Sequence, residues 1–452
     1  MDSKHNLFFA LVSSFFFSLI LLSGQKGALV SGHSHHHRRG HLFSFRPTKL
    51  FVFGDSYSDT GNNRKSEASS WKYPYGITFP GKPSGRFSDG RVLTDFLAKF
   101  VGVKTPVAYQ WRKVVGLRHL KHGMNFAHGG TGVFNTLVSD PNMTAQINSF
   151  QWLFNEKTFT PWDLQSSVAL VTVAGNDYAA YIYNNGTAEG FQPFMTSVVN
   201  QIYVNLKRIR DLGVKKIAVT ALEPLGCLPR STTITSFQQC NGTENSLVSF
   251  HNLLLQQAVA KLNNETTDSP FLILDLYDSF MTVFKNKGDE SGTIKFENPL
   301  KPCCVGTSAE SSCGSVDEKG AKKYTICEDP ESAFFWDNSH PTQQGWRAVY
   351  SALQATLHKT PVKPVHNRRR GDQYREKLAQ FYWVKDHNRE VHSFPISRRL
   401  RASSKETSVQ FRKCEDRDRD LNAIPRRASP GVRNPTVASL RPEGTVCESH
   451  LV

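Results

Sequence analysis

The chain predicts an α/β fold, a three-layer α/β/α arrangement around a central, mostly parallel sheet, and three observations predict it. Short apolar runs that end in Gly, Pro or Asn turns recur along the chain. Between them, apolar residues repeat at three- and four-residue spacing, the period of a helix face. Finally, 452 residues of which 39% are hydrophobic can bury one large core, and one α/β domain of about 300 residues is an ordinary size.

The first apolar run, Leu50-Phe51-Val52-Phe53, ends at Gly54 and reads as a buried strand. Val168 to Val173 is the second and runs into Ala174-Gly175-Asn176-Asp177. Lys216-Ile217-Ala218-Val219-Thr220 is the third and precedes the Pro224-Leu225-Gly226 turn; Phe271 to Leu276 is the fourth. Val198, Ile202, Leu206 and Ile209 mark one intervening helix, and Leu247, Phe250, Leu254 and Val259 another. Alternating strands and helices imply a parallel sheet covered on both faces. Ligands of such sheets sit beyond the carboxyl ends of the strands, which is where Ser56 and Asn176 fall. Residues 64–167, rich in Gly, Pro, Ser and aromatics, read as irregular, either pocket-forming loops or a packed connection.

The formal net charge is +16. Its excess lies in residues 1–49 and 361–452, leaving 50–360 close to neutral, so no basic surface for nucleic acid is expected on the domain. At the N-terminus, Lys4 and His5 precede an apolar run from Leu7 to Leu22, then Ser23, Gly24 and Ala28. That order fits a cleaved secretory signal over 1–28, with a signal anchor as the alternative. Residues 29–46 read as a spacer. His33-Ser34-His35-His36-His37-Arg38-Arg39 within it contains metal-ligand types but is expected to be solvated, so no metal is expected. Secretion agrees with four N-glycosylation patterns, at Asn142, Asn185, Asn241 and Asn264. It also agrees with six cysteines, 227, 240, 303, 304, 313 and 327, an even number that reads as disulfides rather than a zinc site. Cys227 with Cys240 is the expected short closure. The tail 359–452, charged and punctuated by Pro, contains Cys414 and Cys447 and is expected to be disordered. The domain therefore spans 47–358.

The chemistry rests on residues at both ends of that domain. Phe53-Gly54-Asp55-Ser56-Tyr57-Ser58-Asp59-Thr60-Gly61-Asn62-Asn63 places a serine after a strand, and Trp336-Asp337-Asn338-Ser339-His340-Pro341 supplies an Asp-x-x-His. A serine hydroxyl needs a positioned base to become nucleophilic. His340 is that candidate base, and Asp337 the carboxylate that orients it. Taken singly, Ser56 reads as a helix cap, and Asp337 with His340 as a surface turn.

With Asn125-Phe126-Ala127-His128-Gly129-Gly130-Thr131-Gly132 and Gly175-Asn176-Asp177 between them, these blocks make residues 47–358 resemble a plant GDSL-type esterase/lipase of the SGNH hydrolase superfamily. The resemblance implies the SGNH hydrolase-like three-layer fold. It implies Ser56 as nucleophile, His340 as base and Asp337 as acid. It also implies an oxyanion hole from the Ser56 amide, the Gly129 amide and the Asn176 side chain. Where the family usually has a small residue, this chain has His128, which leaves Gly129 and Gly130 both open as the donor. No Gly-x-Ser-x-Gly surrounds Ser56, which disfavours the α/β-hydrolase fold. The expected function is a secreted serine esterase or lipase that cleaves carboxylic esters through an acyl-serine, with no metal or organic cofactor. Its expected partner is a small-molecule, lipid or cell-wall ester, not nucleic acid, and no membrane span is expected once the signal is cleaved. The alternatives are acyl transfer by the same residues, and a secreted binding protein on the same fold.

Overall fold

The computed structural model describes residues 45–285 and 295–357. The signal and most of the spacer, with its histidine cluster, lie outside the described residues, as does the tail with Cys414 and Cys447.

Six strands form one parallel sheet: β1 (Lys49–Phe53), β2 (Val107–Ala108), β3 (Gly123–Asn125), β4 (Ser167–Val171), β5 (Lys216–Thr220) and β6 (Phe271–Leu274). Their order is β2-β3-β1-β4-β5-β6, and every neighbouring pair is parallel. β1 and β4 are buried along their whole length, as expected for strands covered on both faces. Alternate side chains then feed two cores. Phe51, Phe53, Val171 and Val219 pack with Phe150, Ile202, Leu206 and Val259, from the helices Met143–Asn155, Ala188–Asp211 and Gly242–Asn264. Leu50, Val52, Leu170 and Ala218 pack on the other face with Leu97, Phe280, Trp346 and Val349, from Leu93–Val101, Leu276–Lys285 and Gln343–Leu357. The predicted three layers are those observed.

Two strands and several helices fall in the segment expected to be irregular. β2 and β3 have two and three residues, too short for a periodic signal. Helix Met143–Asn155 is started by Asn142, whose side chain accepts the Ala145 N–H. A second, two-stranded antiparallel sheet pairs β7 (Cys304–Gly306) with β8 (Tyr324–Ile326). Among the described residues three disulfides are present: Cys227–Cys240, the expected pair, with Cys303–Cys327 and Cys304–Cys313.

The chain runs from β1 outward to β2 and β3 on one side, then returns to β4 on the other. This makes β1 the point where the strand order reverses, the place where such sheets bind ligands.

Candidate active site

Ser56 follows β1, Gly129 and Gly130 follow β3, and Asn176 follows β4, so three adjacent strand ends meet at one rim. The turn that presents Ser56 is tightly held. Gly54 has φ +130°, and a Cβ there would lie 2.2 Å from Thr172 Oγ1, so only glycine fits. Its N–H donates to Gln146 Oε1 (2.8 Å), and its carbonyl accepts from Gln146 Nε2 (2.9 Å). Asp55 accepts from the Tyr57 and Ala174 amides and from Thr172 Oγ1. Burial, only partly offset by these donors, pushes its carboxyl up to about 6.

The rest of the first block is joinery. Asp59 accepts the Gly61 and Asn62 amides, and Asn62 Nδ2 donates to the carbonyls of Asn125 (2.9 Å) and Ala127 (2.8 Å), clamping the end of β3 to the serine turn. Asp177 does the same for the third block by accepting the Val133 and Phe134 amides.

Across this rim stands the loop before the last helix. His340 Nε2 lies 2.8 Å from Ser56 Oγ, and Nδ1 lies 2.8 and 2.9 Å from the two oxygens of Asp337. With a carboxylate on Nδ1, the ring proton sits there, and Nε2 is left to accept from the serine. Asp337 also accepts the Ser339 and His340 amides and, through Oδ2, the Tyr75 hydroxyl at 2.7 Å. Burial works to raise the Asp337 carboxyl, but the His340 charge and these hydrogen bonds outweigh it and hold it below the usual carboxylate range. The Phe87 ring lies 5.1 Å from the His340 ring, tilted by 32°.

A cavity of about 150 Å³ opens on Ser56 and His340, and Phe87, Gly130, Asn176, Glu223 and Arg230 are among its other walls. Asn176 Nδ2 donates one hydrogen to the Thr131 carbonyl at 2.9 Å and keeps a second. Gly129 is placed differently from expectation. Its N–H donates to Asn63 Oδ1 (2.6 Å) and Asp59 Oδ2 (3.1 Å), into the joinery and away from the cavity. Gly130 lines the cavity instead. His128 is not among the lining residues, and its Nδ1 pairs with the Phe126 carbonyl at 2.8 Å.

Of the glycosylation candidates, Asn185 and Asn264 are exposed. Asn142 and Asn241 are half-buried and cap helices through Oδ1.

Reading from sequence alone left Gly130 as the alternative to Gly129, and it missed Tyr75, Glu223 and Arg230. Glu223 stands three residues past β5, so the strand-end rule that located Ser56 and Asn176 would have found it. Nothing local marks Tyr75, which lies 262 residues from its partner.

A serine bonded to a histidine, itself bonded to a carboxylate, at the carboxyl rim of a parallel sheet defines a serine hydrolase. The GDSL-like Lipase/Acylhydrolase family matches residues 50–353, and the chain belongs to that family. It is similar to two GDSL esterase/lipases of Arabidopsis thaliana. One is 59% identical over 80% of this chain and 100% of its own length, the other 53% identical over 77% and 97%. Among solved structures it is similar to a catalytic mutant of an acetylxylan esterase from Geobacillus stearothermophilus, at 14% identity and a TM-score of 0.33, covering 71% of this chain and 99% of that one. The protein is thus an ester-hydrolysing serine hydrolase. Among the described residues no helix is long and apolar enough to cross a membrane.

Proposed function

We propose that Ser56, His340 and Asp337 act as nucleophile, base and orienting acid on short-acyl carboxylic esters. The observation that carries this reading is the unbroken chain of short contacts from Ser56 Oγ through His340 to Asp337 at a cavity wall. His340 takes the Ser56 proton as Oγ attacks the ester carbonyl, then returns it to the departing alcohol. Water, activated by the same nitrogen, releases the acid from the acyl-serine. Asp337, kept ionised, favours the imidazolium that forms on the way.

The negative oxygen of the tetrahedral intermediate needs preorganised donors. The amides of Ser56 and Gly130 have no acceptor among the described residues, and both residues line the cavity. With the second hydrogen of Asn176 Nδ2 they make three donors, so the role expected of Gly129 passes to Gly130. A cavity of about 150 Å³ suits a short acyl group, being smaller than the roughly 300–1,000 Å³ that encloses drug-sized ligands.

We also propose that the protein acts in an oxidising, extracellular compartment. Three disulfides support this, because such bonds persist there and rarely in the cytosol. Asn185 and Asn264, exposed, are the glycan sites that the fold leaves most accessible.

Hydrolysis of 4-nitrophenyl esters from acetate to long acyl chains, beside Ser56→Ala, tests the reading. Wild type should favour the shortest chains, and the variant should lose on the order of 10⁴- to 10⁶-fold in kcat. Equal rates for the two proteins would sink it.

A further inference from the structure

One wall of the cavity carries a group that acyl-serine chemistry leaves without a task. Glu223 follows β5, just before the Pro224-Leu225-Gly226 turn, and its side chain is completely buried. It lines the cavity together with Ser56 and His340, yet neither carboxyl oxygen has a hydrogen-bond partner among the described residues. The Tyr57 hydroxyl stands close enough to interact with Glu223, but its single proton is donated to the Ser339 carbonyl at 3.0 Å, so it does not satisfy the carboxyl. Arg230 lines the same cavity from an exposed position; among the described residues it makes no direct ion pair with Glu223, although its charge acts on that carboxyl through space. Nearly all buried polar groups in folded proteins are paired, so an unpaired carboxyl at a cavity wall calls for a partner that arrives with the ligand.

We infer that Glu223 is a specificity-determining residue that hydrogen-bonds a hydroxyl group on the substrate, so that this cavity selects hydroxyl-bearing esters with a short acyl group over esters of equal size that lack the hydroxyl. The inference rests on the ester-hydrolase reading of the site. Burial, reinforced by the nearby Asp55 carboxyl, pushes Glu223 up to about 8, so near neutrality it keeps its proton. A neutral carboxyl offers one O–H donor and one carbonyl acceptor, and a single hydroxyl can satisfy both. An alkyl chain against the same wall would leave both oxygens unpaired. A cationic ligand is disfavoured, since the carboxyl is uncharged and Arg230 stands on the same cavity. Sites built to hydrogen-bond a hydroxyl discriminate strongly against analogues without it.

Two matched pairs of esters test this. Glycerol monoacetate against propyl acetate places hydroxyls on the alcohol side; ethyl lactate against ethyl propionate places one on the acyl side. Within one preparation the ratio of kcat/KM values in a pair does not depend on how much of the protein is folded, so a weakly folding variant still gives an answer. Wild type should prefer the hydroxylated member of at least one pair by about tenfold or more. Glu223→Leu should bring that ratio towards one, and Glu223→Gln, which keeps a donor and an acceptor, should retain most of it. A wild-type ratio near one in both pairs, or a ratio unmoved by Glu223→Leu, overturns the inference. If Ser56-dependent hydrolysis of 4-nitrophenyl acetate persists in that case, the esterase reading stands and only the role of Glu223 falls. If that hydrolysis is itself absent, the esterase reading fails, and the inference with it.

Discussion

Asp337 holds its proton less tightly than an ordinary carboxyl because His340, two backbone amides and the Tyr75 hydroxyl all favour its charged form. Tyr75 is the donor that can be removed without changing the shape of the site. Tyr75→Phe should lower kcat by roughly tenfold, the lower end of what a hydrogen bond to a charged group contributes, with KM for 4-nitrophenyl acetate little altered. An unchanged kcat would mean that the histidine is oriented without it. Asn176→Ala removes one of the three proposed oxyanion donors and should lower kcat on the order of 10² to 10³; single-turnover acylation rates would show the loss in the step that forms the tetrahedral intermediate. Residue types at strand ends made Ser56 and Asn176 legible from the chain itself, and an Asp-x-x-His near the end of the domain did the same for Asp337 and His340. Which of two neighbouring glycines faces the cavity was not legible, because it depends on the direction of a single peptide plane.

Two elements outside the sheet place the loop that carries Asp337 and His340. The 85–91 turn is anchored by Arg86, whose Nε and Nη2 each lie 2.9 Å from an oxygen of Asp95 in the helix Leu93–Val101, and Phe87 then reaches the His340 ring. The guanidinium and the Asp95 amide and hydroxyl partners, Val92 N–H and Thr105, overcome the effect of burial and hold the Asp95 carboxyl low. Arg86→Ala would leave that carboxylate buried and uncompensated, and chemical denaturation should show a loss of about 3–5 kcal/mol. The β7–β8 hairpin is the second element. Cys303 and Cys304 donate their amides to the carbonyls of Phe335 and Trp336, directly before Asp337. Replacing both Cys304 and Cys313 by Ser should therefore lower stability by about 2–5 kcal/mol and should reduce activity at temperatures below the variant's own Tm. A variant as stable as wild type would show the hairpin to be held without the bond. Four of the six sheet strands were visible as apolar runs of four to six residues. β2 and β3 were not, since strands of two or three residues are defined by their neighbours and not by their own pattern.

Across the whole molecule, the buried titratable groups predict how stability follows pH. Glu223 is raised from 4.5 to about 8 in the fold, so the folded state keeps a proton that the unfolded chain releases. Its contribution is present below pH 4.5 and is lost as pH rises through about 8. His251 is lowered from 6.5 to about 3 by burial, so its contribution is present above 6.5 and is lost as pH falls through about 3. Above pH 6.5 His251 is neutral in both states and no longer opposes Glu223. Tm should then fall between about pH 6.5 and 8, and Glu223→Gln should flatten that limb. Thermal scans of the two proteins across this range decide it: parallel curves would mean that Glu223 is already ionised in the fold.

The sequence by itself determined the layers and the reaction. Alternation and helical spacing dictate which faces must be buried, and a serine, a histidine, an asparagine and an aspartate in ordered blocks dictate the chemistry they can share. Only the tertiary structure decided that Gly130 and not Gly129 lines the cavity, that Tyr75 completes Asp337, and that Glu223 stands without a hydrogen-bond partner at the cavity that Ser56 lines. The physical reason is that these properties belong to pairs of groups. Residues hundreds of positions apart acquire partners, or fail to, only when burial has brought them together and removed the water that would otherwise satisfy them.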